Sequence, residues 1–395
     1  MNKELIIAIV ILAAVWFLIY VICTILNVEE RFGWTVGPIF LLIRTKWFND
    51  FIRRLAKKHA RFWRIFGNIS IVTGLLSMLA SFGLFTYSLI DFFLPKGVSA
   101  TTGGAVGLII PGVTISFKTF LYLIIPLILT MIPHELAHGV VAHADGVKLK
   151  STGLAFFAIF FGAFVEPEEE SMLDASPETK MRTFAAGIFP NLLLGLITIP
   201  VLIFSSNILS PLYYAPDGIL VLEVIGGSPA DESGLERGSV IYAIDGQHLY
   251  NSTTFSTIMA QTSPNQTLSL TTSKDNLTVT LATNPNNATI GYLGIRSMDY
   301  REPKVAFASK FFPYFFTQEL IWTLVISFGA VMLNALPLPV IVDGDKLLST
   351  TLLSKMSNTK VAKIILSLLR FFALFLFLAN IILPIIRYGL VPIGF

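Results

Sequence analysis

Long apolar runs separated by short polar stretches dominate this chain, and their lengths set the first expectations. A helix needs about 20 apolar residues to cross the hydrocarbon core of a bilayer. Six stretches reach that length, at roughly 4–26, 67–94, 116–144, 182–208, 310–338 and 360–391. The first has too long an apolar part, and no small-residue cleavage site after it, to be a removable secretory leader. A further apolar stretch, LAFFAIFFGAFV at 154–165, has only 12 residues, contains Gly162 and is flanked by Lys148, Lys150 and Glu166. It is too short to cross as a helix and suits an extended or re-entrant segment. Irregular backbone at membrane depth survives only when buried in protein or beside water.

Residues 211–300 break this pattern. They are rich in Ser, Thr, Asn and Gly, and ILVLEVI (219–225), TLSLTTS (267–273) and LTVTLA (277–282) alternate as strands do. Between the first two lies GGSPADESGLERGSVIYAIDG (226–246). Pro229-Ala230 opens a short helix there, Gly234 and Gly238 supply turns, and Asp245-Gly246 closes a hairpin. The segment resembles a PDZ domain in the strand order of bacterial and archaeal proteins. That resemblance implies a peptide groove bordered by Asp217, Gly218, Ile219 and a helix near 253–262, where a peptide C-terminus adds as a strand. The alternative is a small β-rich domain that only blocks access.

Composition agrees with a membrane protein. The 395 residues are 54% hydrophobic and only 13% charged, with mean hydropathy +0.73. Soluble chains carry about 25% charged residues. A net charge of +3 is too small to suggest a nucleic-acid partner, and the single Cys23 leaves no internal disulfide framework or cysteine metal cluster. Distribution of charge says more than its sum. Nine basic residues (Arg31, Arg44, Lys46, Arg53, Arg54, Lys57, Lys58, Arg61, Arg64) lie between the first two spans and mark that loop as cytoplasmic. Alternation then puts 95–115 and 209–309 outside, and 145–181 and 344–359 inside. Four N-x-S/T sequons, beginning at Asn251, Asn265, Asn276 and Asn287, fall in the segment expected outside. The expected divisions are 1–66 (first span and basic loop), 67–210 (first half of a membrane core), 211–300 (PDZ-like) and 301–395 (second half).

The third span contains His134-Glu135-Leu136-Ala137-His138. With five histidines and 14 glutamates in the chain, H-E-x-x-H arises by chance about once in 400 such chains. On a helix, residues i and i+4 share a face about 6 Å apart along the axis, so two imidazoles can reach one Zn²⁺. Glu135 is turned aside, where a carboxylate can manage the proton of an attacking water. Two histidines held by hydrogen bonds in a helix bundle is the plainer alternative, but three ionisable groups within about one helical turn at membrane depth point to function. His143 reads as an interfacial residue at the helix end. Catalytic zinc sites have three protein ligands and an open position. Asp343 is the leading third candidate: it follows Asn334-Ala335-Leu336-Pro337-Leu338-Pro339, whose prolines break the fifth span, and precedes Gly344. The span count brings it to the depth of His138; Glu166 is a fallback.

The H-E-x-x-H helix, the N-x-x-P followed by D-G, and Ala186-Gly187-Ile188-Phe189-Pro190-Asn191 together resemble the site-2 protease family of intramembrane zinc metalloproteases. Gly162-Ala163-Phe164-Val165 resembles a segment of the branch that includes animal enzymes, and Val342 stands where leucine is usual. The resemblance implies a polytopic α-helical membrane protein with a zincin-like core and an inserted extracytoplasmic PDZ domain. It implies one Zn²⁺ held by His134, His138 and Asp343, with Glu135 as general base and acid. Asn191 and Asn334 match the family's motif asparagines, placed to hold substrate backbone or an oxyanion, or else to serve as helix-packing contacts. Transmembrane proteins would be the substrates, surrounded by lipid, cut second in regulated intramembrane proteolysis. Compact loops and a single cysteine favour an archaeal plasma membrane over a Golgi membrane. A metal transporter and a non-catalytic peptide-binding scaffold are the competing classes.

Overall fold

The computed structural model describes residues 3–94, 109, 113–158, 160–339 and 342–389. The expected loop at 95–115 lies largely outside them, as do Val340 and Ile341. The chain divides into two compact units, Met1–Ile199 with Glu319–Phe395, and Pro200–Gln318.

The first unit begins with α1 (Lys3–Ile25), α2 (Val28–Phe32), β1 (Thr35–Gly37), β2 (Phe40–Thr45), α3 (Trp47–Lys58), α4 (Ala60–Phe93) and α5 (Phe117–Ala144). It continues through β3 (Leu149–Phe157), β4 (Phe160–Pro167), α6 (Glu169–Leu173), α7 (Pro177–Ala185) and α8 (Ile188–Ile203). Among the described residues, five helical stretches are long and apolar enough to cross a membrane: Ala60–Phe93, Thr119–Ala144, Pro177–Ile203, Phe312–Ala335 and Thr359–Tyr388. They coincide with five of the six expected spans; the first expected span is α1, apolar over Val10–Ile25. Helix starts follow local chemistry. The Ser116 hydroxyl accepts from the Thr119 N–H at the head of α5, and Ser176 does the same for Thr179 ahead of Pro177 at the head of α7.

The 154–165 stretch is extended, as its length required, but as a hairpin rather than a single segment. β3 and β4 pair antiparallel, and β2 joins β3 with Phe40 opposite Phe157 and Thr45 opposite Thr152. The result is a four-stranded sheet in the order β1-β2-β3-β4. No alternation marks β1 and β2, which lie in the basic loop. The Trp16 indole N–H donates to the Ala158 carbonyl at 2.8 Å, tying α1 to the hairpin turn.

The second unit holds α9 (Ser205–Leu209), β5 (Tyr213–Val224), α10 (Pro229–Glu232), β6 (Val240–Ile244), β7 (Gln247–His248) and α11 (Ser252–Ala260). β8 (Thr267–Thr272), β9 (Asn276–Thr280), β10 (Ala282–Asn284), β11 (Asn287–Tyr292) and β12 (Ile295–Pro303) follow. The main sheet runs β12-β5-β6-β8-β9 around an apolar core that includes Ile219, Ile241, Leu268 and Leu270. Asp245 (φ 48°) and Gly246 (φ 77°) make the expected hairpin turn between β6 and β7. The expected groove needs correction. Ile219 pairs with Asp299 of β12 on one side and Ile241 of β6 on the other, so no peptide can add as a strand at Asp217, Gly218 and Ile219. The edge of this sheet beside α11 is β12, where Asp299 accepts from the Ser252 N–H at the start of α11.

The chain ends with α12 (Phe312–Ala335), α13 (Asp343–Lys355) and α14 (Thr359–Tyr388). α12 stops before Pro337, as its prolines required. A fifth sequon, Asn68-Ile69-Ser70, lies inside α4, where the Asn68 side chain accepts from Arg182. Sequons are therefore not confined to the segment expected outside.

Candidate metal centre

α5 places His134 and His138 one turn apart, and α13 brings Asp343 to them from 205 residues beyond His138. Asp343 Oδ2 lies 3.2 Å from His134 Nε2 and 3.1 Å from His138 Nε2, and the two Nε2 atoms are 3.2 Å apart. All three side chains are at least four-fifths buried. The His138 Nδ1–H donates to the Thr183 carbonyl at 2.6 Å, which leaves a bare lone pair on its Nε2. Three acceptor atoms thus converge on one point. Two ligands bonded at about 2.0–2.1 Å to a tetrahedral ion sit about 3.3 Å apart, so these separations fit a divalent metal.

The surroundings fit as well. Gly187 lies over the histidines: a Cβ there would fall 2.5 Å from His134 Cε1 and 2.6 Å from His134 Nε2, and closer still to His138 Nε2. Its φ is not in the left-handed region, so close approach rather than backbone freedom demands glycine. Gly344 is placed by the same logic. A Cβ there would meet the Ala335 carbonyl and come within 2.8 Å of the Asn334 oxygen, so the D-G pair lets α13 start hard against the end of α12. Asn334 enters the site region through this backbone contact.

Behind Asp343, Asp345 is 5% exposed and receives two hydrogen bonds from Arg370 of α14, at 2.6 and 2.8 Å. This bidentate pair ties the first turn of α13 to α14. Sequence reasoning missed it, although an arginine in the middle of the last apolar run was a signal.

Glu135 is turned aside as expected. Its Oε2 accepts from the Val165 N–H of β4 at 3.2 Å, outside the ligand group. Two residues along, the Ala163 N–H points to Met131 Sδ at 2.8 Å, so the strand edge facing α5 is met by α5 side chains. Asn191 is 1% exposed, with Nδ2 3.1 Å from His134 Nδ1. The Thr183 carbonyl carries no side-chain signature, and nothing in the sequence could have found it.

The remaining candidates lie elsewhere. Glu166 is held by Lys150 and Ser151, each at 2.7 Å, with Arg44 at 3.8 Å. Partial burial opposes its ionisation, but the hydrogen bonds from Lys150 and Ser151 and the nearby cations prevail and hold it below the usual carboxylate range. His143 Nδ1–H donates to the Val147 carbonyl at the end of α5. Asp217 contacts His248 in the second unit.

This arrangement has relatives. An uncharacterized protein of Methanocaldococcus jannaschii is 28% identical over 328 residues, covering 82% of this chain and 79% of that one. A membrane-bound transcription factor site-2 protease homolog of Arabidopsis thaliana is 24% identical over 201 residues, half of this chain and 38% of its own length. PDZ domains of SdrC-like proteins from Listeria innocua and Listeria monocytogenes align at 23% and 21% identity over 20% of this chain, with TM-scores of 0.19. The alignments cover 93% and 87% of those domains. A family model for peptidase family M50 matches residues 122–376, more than half of the chain and a span that includes His134, Glu135, His138, Asn191 and Asp343. The chain belongs to peptidase family M50, and the site-2 protease resemblance read from its motifs holds.

Proposed function

We propose that the protein is a zinc-dependent endopeptidase that cuts transmembrane proteins within or at the edge of the bilayer. The observation that supports it best is the convergence of two imidazoles and a carboxylate inside an apolar helical unit, with a second carboxylate beside them that is not a ligand. His134, His138 and Asp343 would hold Zn²⁺, which would supply Lewis acidity and bring the pKa of a bound water toward neutrality. Glu135 takes the proton from the attacking water and delivers it to the leaving amine as the C–N bond breaks.

A transmembrane helix hides its carbonyls in internal hydrogen bonds and must unwind before it is cut. β4 offers the unwound segment a place. The Ala163 and Val165 N–H groups face α5, and substrate carbonyls would replace Met131 Sδ and Glu135 Oε2 as their acceptors. Strand addition would therefore release Glu135 at the moment substrate arrives. Asn334 and the amide of Asn191 are the candidates to steady substrate backbone or oxyanion.

The second unit serves as a PDZ-type module on the extracytoplasmic side, with β12 and α11 bordering its groove. It screens substrates by size or holds a newly exposed C-terminus, which suits the second cut of regulated intramembrane proteolysis in an archaeal-type plasma membrane. The nine basic residues of the first loop support this sidedness.

Cleavage of single-span proteins in reconstituted membranes tests the chemistry. Glu135→Gln should slow cleavage by about 100-fold or more while leaving zinc content unchanged. Cleavage that persists in this variant, or zinc uptake into vesicles without any cleavage by the parent, would sink the reading. Sidedness has its own test. With Cys23 replaced, a cysteine at the exposed Ser256 should react with an impermeant thiol reagent outside intact cells, and one at the exposed Ser354 should not. The reverse pattern inverts the topology.

A further inference from the structure

We infer that Asn191 is a positioning residue for His134: its side-chain carbonyl accepts the His134 Nδ1–H and so fixes the tautomer whose Nε2 faces the metal. The inference rests on the metal reading of the site and deepens it.

His138 gives its Nδ1–H to the Thr183 carbonyl, and its Nε2 is left as a ligand. His134 turns the same atom, Nε2, toward Asp343 and His138. A neutral imidazole carries a single N–H. If Nε2 is a ligand, that proton sits on Nδ1 and needs an acceptor. The neighbour of Nδ1 is the Asn191 amide, with Nδ2 at 3.1 Å. In that orientation two donors would face each other, while Asn191 Oδ1 is buried with no hydrogen-bond partner among the described residues. Turning the amide by half a rotation replaces the opposed donors with an N–H···O=C bond, and the shapes of the two orientations are nearly the same. The amino group then takes the place of the unpartnered oxygen, as a buried donor left over for a water or a substrate carbonyl.

Helix geometry explains why this residue is the one in reach. Thr183, Gly187 and Asn191 follow one another at intervals of four along the helical stretch Pro177–Ile203, so they form one face. That face meets α5 in antiparallel order: Thr183 at His138, Gly187 over both rings and Asn191 at His134. Metal-bound histidines characteristically give their second ring nitrogen to such an acceptor, and loss of the acceptor lowers metal affinity about 10–100-fold.

The test is zinc affinity, measured by chelator competition on full-length protein carrying Glu135→Gln, so that proteolysis plays no part. Asn191→Leu, which removes the acceptor, should weaken zinc binding about 10–100-fold. Asn191→Asp, which keeps an acceptor in nearly the same volume, should retain affinity within about threefold of the parent. ¹⁵N shifts of labelled histidine should report Nδ1–H at His134 in the parent and in the Asp variant. Zinc binding in the Leu variant as tight as in the parent, or an Asp variant as weak as the Leu one, overturns the inference. A parent that binds no zinc instead overturns the metal reading itself. Melting of the zinc-free proteins separates either result from misfolding.

Discussion

The two units use polar and apolar residues in opposite ways. The Pro200–Gln318 unit packs Ile219, Val221, Ile241, Ile244, Leu268 and Leu270 into one continuous core and turns most of its Ser, Thr and Asn outward, with Ser228, Ser239 and Thr262 buried. The helical unit exposes Leu79, Leu368, Phe371 and Ile386, while Ser70, Ser81, Asn191, Ser327 and Asn380 are buried between its helices. Its apolar interior is broken into several small clusters. Where the surroundings are as apolar as the side chains, burial of apolar surface cannot tell inside from outside. Small residues and paired polar groups must specify the packing there. Gly74 of α4 shows the first device: a Cβ there would lie 2.8 Å from Leu347 Cδ2, so the glycine lets α13 approach. Asp345–Arg370 shows the second.

The largest effect that would break this comparison concerns that ion pair. Arg370→Leu strands a buried carboxylate and should cost about 3–5 kcal/mol, whereas replacing both partners with leucine should recover most of the loss. Unfolding in mixed micelles measures it. An Arg370→Leu protein as stable as the parent would mean that the helical unit does not depend on polar specification. A matched pair of Leu→Ala changes sharpens the contrast at smaller magnitude. Leu270→Ala, fully buried in the β unit, should cost about 2–5 kcal/mol. Leu79→Ala, 68% exposed on α4, should stay within about 0.5 kcal/mol. Hydrogen exchange of each unit in the full chain reads both, and a Leu79 effect equal to that of Leu270 would erase the distinction.

Much of the helical unit was legible because its signals are local. Apolar run length located the five long helices, and a four-residue spacing exposed His134 and His138. Asp343 was found because prolines and a D-G pair interrupt an apolar run. What failed was non-local. β1 and β2 read as loop because Phe40–Thr45 is a short run beside basic residues, and the partner that makes it a strand lies more than 100 residues away. The groove was expected at Asp217, Gly218 and Ile219 from the PDZ resemblance, and a likeness of short motifs does not say which strands flank β5; β12 takes the side beside Ile219. Thr183 contributes only backbone, which any residue could supply. Asn191 was singled out by motif, but whether its amide served substrate or ligand depended on which ring nitrogen stood opposite.

The β2–β3 pairing also constrains how the chain is made. Thr45 leaves the ribosome 107 residues before Thr152, its partner across the sheet, and α4 and α5 must both be synthesised in between. Throughout that interval β2 carries an unfinished edge, with Phe40, Leu41, Leu42 and Ile43 next to one another, which is the kind of edge that recruits the wrong strand. The charges crowded on either side of it, Arg31 before and Lys46, Arg53 and Arg54 after, then act as gatekeepers during biogenesis. The sheet beside the His134–His138–Asp343 cluster thus closes late: β3 can pair with β2 only after α5, which carries the two histidines, has been synthesised.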